Sequence, residues 1–273
     1  MSCARRVVIW GMTELLPSKT AIIYGAGGGL GGAVARTFAR EGATVYLAGR
    51  TREPLERVAA DIAGAGGRAH VAVVDALDER AVDEHADAVA GEAGGIDVSF
   101  NLVSRGDVQG RPIVDLGLDE FLRAIDAGAT TLFLTARAAA RHMAPRGSGA
   151  ILHLTSGSSR GAAPMMGSTG PADGATDALA RYLAAELGPA GIRVVGIHTA
   201  AVRETLTPEK IAAVSGAPHV DVDAIIAGIS QMTMLRRAPS VQQVADTAAF
   251  LASDRAGAIT SQMVNATCGL IAG

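Results

Sequence analysis

The stretch Tyr24-Gly25-Ala26-Gly27-Gly28-Gly29-Leu30-Gly31-Gly32 constrains this chain more than any other. The apolar run Thr20-Ala21-Ile22-Ile23 leads into it. A helical pattern follows, with Ala33, Val34, Phe38 and Ala39 apolar and Arg36 and Arg40 charged. That order is strand, glycine turn, helix. Six glycines fall within the eight positions 25–32, and each costs chain entropy that a plain turn does not require. Glycines here allow positive φ and let the backbone approach a pyrophosphate closely. The unpaired N–H groups and the dipole of the following helix then face the anion. Gly25, Gly28, Gly29, Leu30 and Gly31 are the candidate cradle. A tight strand–helix turn without a ligand is the competing explanation.

Strands and helices alternate from Thr20 onward. Further strands are expected at 43–48, 69–74, 96–103, 150–154, 192–197 and 262–265, with helices at 53–65, 78–93, 119–143, 171–187 and 241–253. This pattern predicts an α/β fold: a single Rossmann-type, doubly wound parallel sheet of six to seven strands with helices on both faces. The length of 273 residues suits one such domain, covering 18–273, with residues 1–17 as an N-terminal extension. Ligands of such sheets bind at the carboxyl ends of the strands.

Composition narrows the partners. A net charge of −3 offers no basic field for nucleic acid or an anionic membrane. No apolar stretch is long enough to span a bilayer. Two cysteines, Cys3 and Cys268, make neither a disulfide framework nor a metal quartet. A cytoplasmic protein acting on a small molecule, with no metal, is the expectation.

The second strand ends in Gly49-Arg50-Thr51-Arg52, with no carboxylate before Glu53. An acidic residue there would accept from a free ribose 2′-hydroxyl, whereas Arg50 suits a 2′-phosphate. This favours NADP(H) as cofactor, against the alternative of a solvated arginine. Asp75, closing the third strand, is placed to accept from an adenine amino group or to form an Asx turn.

From Thr20 to Gly273 the chain resembles the short-chain dehydrogenase/reductases. The resemblance rests on the glycine turn, in which Tyr24 stands where the family has Thr, and on Gly49-Arg50, Asp75 and Asn101-Leu102-Val103-Ser104. Leu154-Thr155-Ser156 and the segment from Leu183 to Val194 carry it further, as does Ile259 to Asn265. It adds Ala76, Asn101 and Val202 to the candidate cofactor contacts and marks 203–235 as a substrate lid. Leu206, Ile211, Val214, Ile225, Ile226, Ile229 and Leu235 there suggest an apolar cover, hence a substrate with an apolar portion. A homo-oligomer, tetramer or dimer, pairing the helices at 119–143 and 171–187 is a further implication.

The same resemblance exposes a break. The family's reaction uses a tyrosine proton donor, a lysine one helical turn later, a serine on the preceding strand and an asparagine one helix earlier. Here the tyrosine position is Thr169, thirteen residues after Ser156, and the lysine position is Asp173. The asparagine position is read as Asp126, so Ser156 alone survives of the four. Thr169 is a poor general acid near neutral pH. Two readings follow for the candidate catalytic set Ser156, Asp173, Asp126 and Thr169. In one, Asp126 and Asp173 lie close enough to split their pKa values and act as acid and base. In the other, both are solvated or paired with arginine and the family reaction is lost. The functions in play are an NADP(H)-dependent oxidoreductase on a small carbonyl, alcohol or enone with an atypical proton donor, a non-redox isomerase, dehydratase or cyclase, and a catalytically silent NADP(H)-binding partner subunit. His198 and His153 are read as packed histidines. Met165, Met166, Met232 and Met234 are read as core filling or the lining of an apolar pocket.

Overall fold

Adjacent apolar side chains on the strands face opposite sides of the sheet, so both faces need a helical cover. The computed structural model describes residues 14–161, 163–215 and 221–272. Its strands are β1 (Thr20–Tyr24), β2 (Thr44–Gly49), β3 (Arg68–Val73), β4 (Val98–Asn101), β5 (Gly149–Ser156), β6 (Ile192–Thr199) and β7 (Gln262–Ala266). Eight helices accompany them among the described residues: α1 (Gly29–Arg40), α2 (Arg52–Gly64), α3 (Glu79–Ala93), α4 (Leu118–Met143), α5 (Thr169–Leu187), α6 (Pro208–Ser215), α7 (Val222–Met232) and α8 (Val241–Ala252).

All strand pairs are parallel, in the order β3-β2-β1-β4-β5-β6-β7. On one face Ile23, Leu47, Phe100 and Leu152 pack under α1, α2 and α8. On the other Ile22, Tyr46, Ile151 and Val194 pack under α3, α4 and α5. Each fully buried side chain of this size contributes about 1.5–3 kcal/mol of transfer free energy. The strand order reverses between β1 and β4, which opens the ligand crevice at their carboxyl ends.

The expected fold class holds, with seven strands. The fifth strand runs two residues beyond its expected end, and so carries Ser156 at its tip. α5 begins at Thr169, ahead of Pro171. The N–H that proline lacks falls in the first helical turn, where no intrahelical acceptor exists, so Pro171 costs the helix little. The expected lid, 203–235, contributes α6 and α7. Residues 1–13 of the expected extension, with Cys3, and residues 216–220 of the lid lie outside the described residues. Among the described residues no helix is long and apolar enough to cross a membrane.

Candidate active site and cofactor cleft

The glycine turn works as a close approach of backbone to backbone. Gly25 has φ +81°, and a Cβ there would strike the Leu102 carbonyl at the end of β4. A Cβ on Gly31 would strike the Gly25 carbonyl oxygen. α1 is therefore seated directly on the tip of β1. Its N-cap, Gly28, offers no side-chain acceptor, so the first-turn N–H groups have no cap to bind. Beside them runs a cleft of about 290 Å³, lined among others by Gly25, Gly28, Arg50, Asp75, Ala76 and Val103. Arg50 is exposed and has no ion pair among the described residues. The nearby carboxylates are committed elsewhere, Glu53 to Arg57 at 2.6 Å and Glu56 to Arg52 at 3.6 Å.

Other candidate contacts sit differently. Asp75 makes the Asx turn, its Oδ1 accepting from Leu77 N at 3.0 Å at the edge of the cleft. Gly29, Leu30 and Gly31 form the start of α1 and are not part of the cleft lining. Asn101 is buried beneath the cleft: its amide donates to Thr131 Oγ1 at 3.0 Å and its Oδ1 accepts from Val103 N. Val202 is buried in the core beyond β6. Tyr24 is buried edge-on against His85, ring centroids 5.9 Å apart, and burial pushes its phenol pKa up.

The altered catalytic positions lie on one stripe of α5. Asp173 lies four residues from Thr169 and Asp177 and three from Thr176, and all four are buried. Asp173 is 0% exposed. Its Oδ2 accepts from Ser156 Oγ at 2.5 Å and from Ser156 N at 3.2 Å. Its Oδ1 accepts from Arg105 Nη1 at 2.6 Å. The other arm of Arg105 reaches Asp107 at 2.9 Å. Burial pushes the Asp173 carboxyl above its ordinary pKa, against the pull of the Arg105 charge and the Ser156 hydrogen bond. Thr169 Oγ1 accepts from Gln109 Nε2 at 2.9 Å. Ser156 Oγ also lies 2.9 Å from Ser158 Oγ and accepts from Ser158 N at 3.2 Å.

Asp126 is a correction. It is exposed on α4, and the carboxylate that neighbours the Asp173 network is Asp107. The α4 residue that faces the network is Gly128, where a Cβ would lie 2.8 Å from Arg105 Cδ and 3.0 Å from Thr176 Oγ1. Two residues turn an α-helix by roughly 200°, so the Asp126 side chain points away. The absent side chain at Gly128 is the slot through which Arg105 reaches Asp173. The Asp126–Asp173 acid/base pair is therefore not formed.

One turn beyond Asp173, Asp177 accepts from Thr155 Oγ1 at 2.9 Å, Ser159 Oγ at 2.6 Å and His198 Nε2 at 2.9 Å. Burial opposes its charge, but Ser159 and His198, with His153 Nε2 3.8 Å away, outweigh it and hold its carboxyl well below the usual range. His153 and His198 are both 1% exposed, the packed histidines of the sequence expectation. Arg105, Gln109, Ser158 and Asp177 were not singled out from the sequence. Only Asp177 had a local signal, its four-residue spacing from Asp173.

A parallel sheet with a glycine turn at its strand reversal and a serine at the tip of β5 is a Rossmann-type arrangement. A family model described as enoyl-(acyl carrier protein) reductase matches residues 25–270. The short-chain reductase protein NovJ of Streptomyces niveus is 30% identical over 259 residues, 94% of this chain and 96% of that protein. The 7alpha-hydroxysteroid dehydrogenase of Escherichia coli strain K12 is 29% identical over 259 residues, 93% of this chain and 94% of that one. The crystal structure of a short-chain type dehydrogenase/reductase from Mycobacterium marinum matches with a TM-score of 0.82 at 28% identity, covering 96% of this chain and 98% of that one. The chain belongs to the short-chain dehydrogenase/reductase family.

Proposed function

We propose that the protein is an NADP(H)-dependent oxidoreductase of the short-chain type, acting on a small carbonyl or alcohol, in which the missing tyrosine–lysine pair is replaced by Ser156 and Asp173. The observation that carries this is the buried Asp173 carboxyl, with Ser156 Oγ on one oxygen and Arg105 on the other. When bound, the nicotinamide supplies or accepts the hydride. The residues of the chain manage the proton. A protonated Asp173 gives its proton toward Ser156 Oγ, and Arg105 stabilises the carboxylate left behind. Burial, which raises the Asp173 pKa, favours the protonated form that this role requires.

Gly25, Gly28 and the first turn of α1 would hold the pyrophosphate, and the unpaired Arg50 a 2′-phosphate. One structural neighbour is an NAD+-bound xylitol dehydrogenase and another is complexed with NADH, so the family resemblance alone does not choose between the two cofactors. Arg50 supports NADP(H).

Fluorescence titration with NADPH and NADH tests the cofactor. Arg50→Ala is expected to weaken NADPH by about 10- to 100-fold, as loss of a charge-assisted contact does, and NADH by less than about twofold. Equal losses for both would remove the phosphate role. Following the reduced-nicotinamide absorbance with a panel of ketones then tests turnover, which Asp173→Asn is expected to abolish.

A second reading, a silent NADP(H)-binding subunit, is favoured by one observation. Thr169 Oγ1 is 2.9 Å from Gln109 Nε2 and buried, so the family's donor position is closed off. NADPH binding without turnover on that panel would select it.

A further inference from the structure

A second cleft, of about 530 Å³, lies between the segment after β4 and the segment after β5. That volume is within the range of small-molecule sites. Its lining includes Pro112, Ile113, Pro164, Met165 and Met166, with glycines and alanine, and no charged side chain among the described residues. Among the described residues Ser158 is its single polar side chain. Ser156, partly exposed, is not part of the lining, and its hydroxyl oxygen lies 2.9 Å from that of Ser158. Asp173, 2.5 Å behind Ser156, is closed to solvent.

The three groups thus form a chain of hydrogen-bond contacts from a buried carboxyl to the lining of an apolar cleft. We infer that Ser158 is the group that meets the substrate oxygen, at the end of a proton path Asp173–Ser156–Ser158, and that the cleft takes a neutral, apolar carbonyl or alcohol. This deepens, and rests on, the oxidoreductase reading above. The path runs in either sense because each serine hydroxyl can donate and accept. With Asp173 protonated, its hydroxyl donates to Ser156, Ser156 to Ser158, and Ser158 to the substrate oxygen. Delivery moves three protons by one place each. The substrate O–H forms as the Ser158 O–H breaks, Ser158 is reprotonated from Ser156, and Ser156 from Asp173. Asp173 ends as a carboxylate against Arg105. Alcohol oxidation runs the same steps backward. A substrate bearing a carboxylate or phosphate would bury its charge in this cleft with no charged partner among the described lining residues, at high cost.

The test uses the full chain and needs no turnover. The probes are 4-tert-butylcyclohexanone with a ¹³C-labelled carbonyl, tert-butylcyclohexane and 4-oxocyclohexanecarboxylate, titrated by ligand-observed NMR. The ketone is expected to bind with a downfield carbonyl shift, the signature of an accepted hydrogen bond. Ser158→Ala should remove that shift and weaken the ketone by about 5- to 10-fold, while leaving the hydrocarbon unchanged. Ser158→Thr should restore both. Ser156→Ala should leave ketone affinity within about twofold, since Ser156 does not touch the ligand, and the carboxylate should bind at least about tenfold more weakly than the ketone. Failure of the ketone to bind at millimolar concentration, a larger loss from Ser156→Ala than from Ser158→Ala, or tight binding of the carboxylate would overturn the inference. NADPH titration of the same samples separates the two levels. If NADPH does not bind, the oxidoreductase reading fails, while the Ser158 contact stands or falls on the ketone data.

Discussion

Asp173 does two things that a lysine at the same place could not. It accepts from the Ser156 hydroxyl and it anchors a cation that arrives from another part of the chain. Removing that cation leaves a buried carboxylate without its partner, the costly way to break an ion pair. Arg105→Ala is expected to lower stability by about 3 kcal/mol, and Asp173→Asn beside it to recover most of that loss. Urea unfolding of the two single variants and the double variant measures the coupling; simple additivity would mean that the pair contributes nothing as a pair. Thr169 and Asp173 were legible in the sequence because they sit at fixed distances from Ser156 and from the segment after α5. Arg105 was not, because 68 residues separate it from Asp173 and only the packing of the segment after β4 against α5 brings the charges together.

α4 and α5 meet where their side chains are smallest, and Gly128 is the position that decides what fits between them. Gly128→Ala would press a methyl group against Arg105 Cδ and Thr176 Oγ1. The expected result is a loss of about 1–3 kcal/mol, typical of an overpacked core, together with displacement of Arg105 and weaker coupling to Asp173. A thermal melt unchanged from the parent would show that the slot is roomier than the geometry implies. The misplacement of Asp126 belongs to this scale. The element and its length were readable from periodicity, but helix phase at a polar interface was not, since Asp126, Gly128 and Thr131 are all plausible inward positions until α5 is in place. The strands were readable almost throughout, because burial on both faces writes them as continuous apolar runs.

For the molecule as a whole, the two buried aspartates of α5 oppose each other in how stability follows pH. The Asp177 carboxyl has a depressed folded pKa. Its contribution is present above the unfolded carboxylate value of about 3.9 and is lost as pH falls below it toward the folded value. The Asp173 carboxyl has a raised folded pKa. Its contribution is complete below about 3.9 and is lost as pH rises through the folded value. Urea midpoints measured against pH should therefore show Asp177→Asn flattening the acid limb and Asp173→Asn removing a decline on its alkaline side. A parent acid limb retained in Asp177→Asn would assign acid unfolding to other carboxylates. Asp177→Asn should also cost about 2 kcal/mol at neutral pH, because the hydrogen bonds it holds tie α5 to β5 and β6.

Arg105 and Gln109 lie four positions apart on one segment, and between them they occupy both altered places on α5, the one pairing with Asp173 and the other with Thr169. The departure from the family pattern is thus written twice, once on the helix and once on the segment that latches it. Restoring tyrosine and lysine on α5 alone would set a lysine against Arg105 and a phenol against Gln109. Descent should bear the mark of this. Chains that inherit Thr and Asp at the two helix positions are expected to inherit Arg and Gln at the two latch positions and glycine at the slot on α4. Sequences that keep the helix pair while varying the latch would show that the two halves arose, and can be lost, independently.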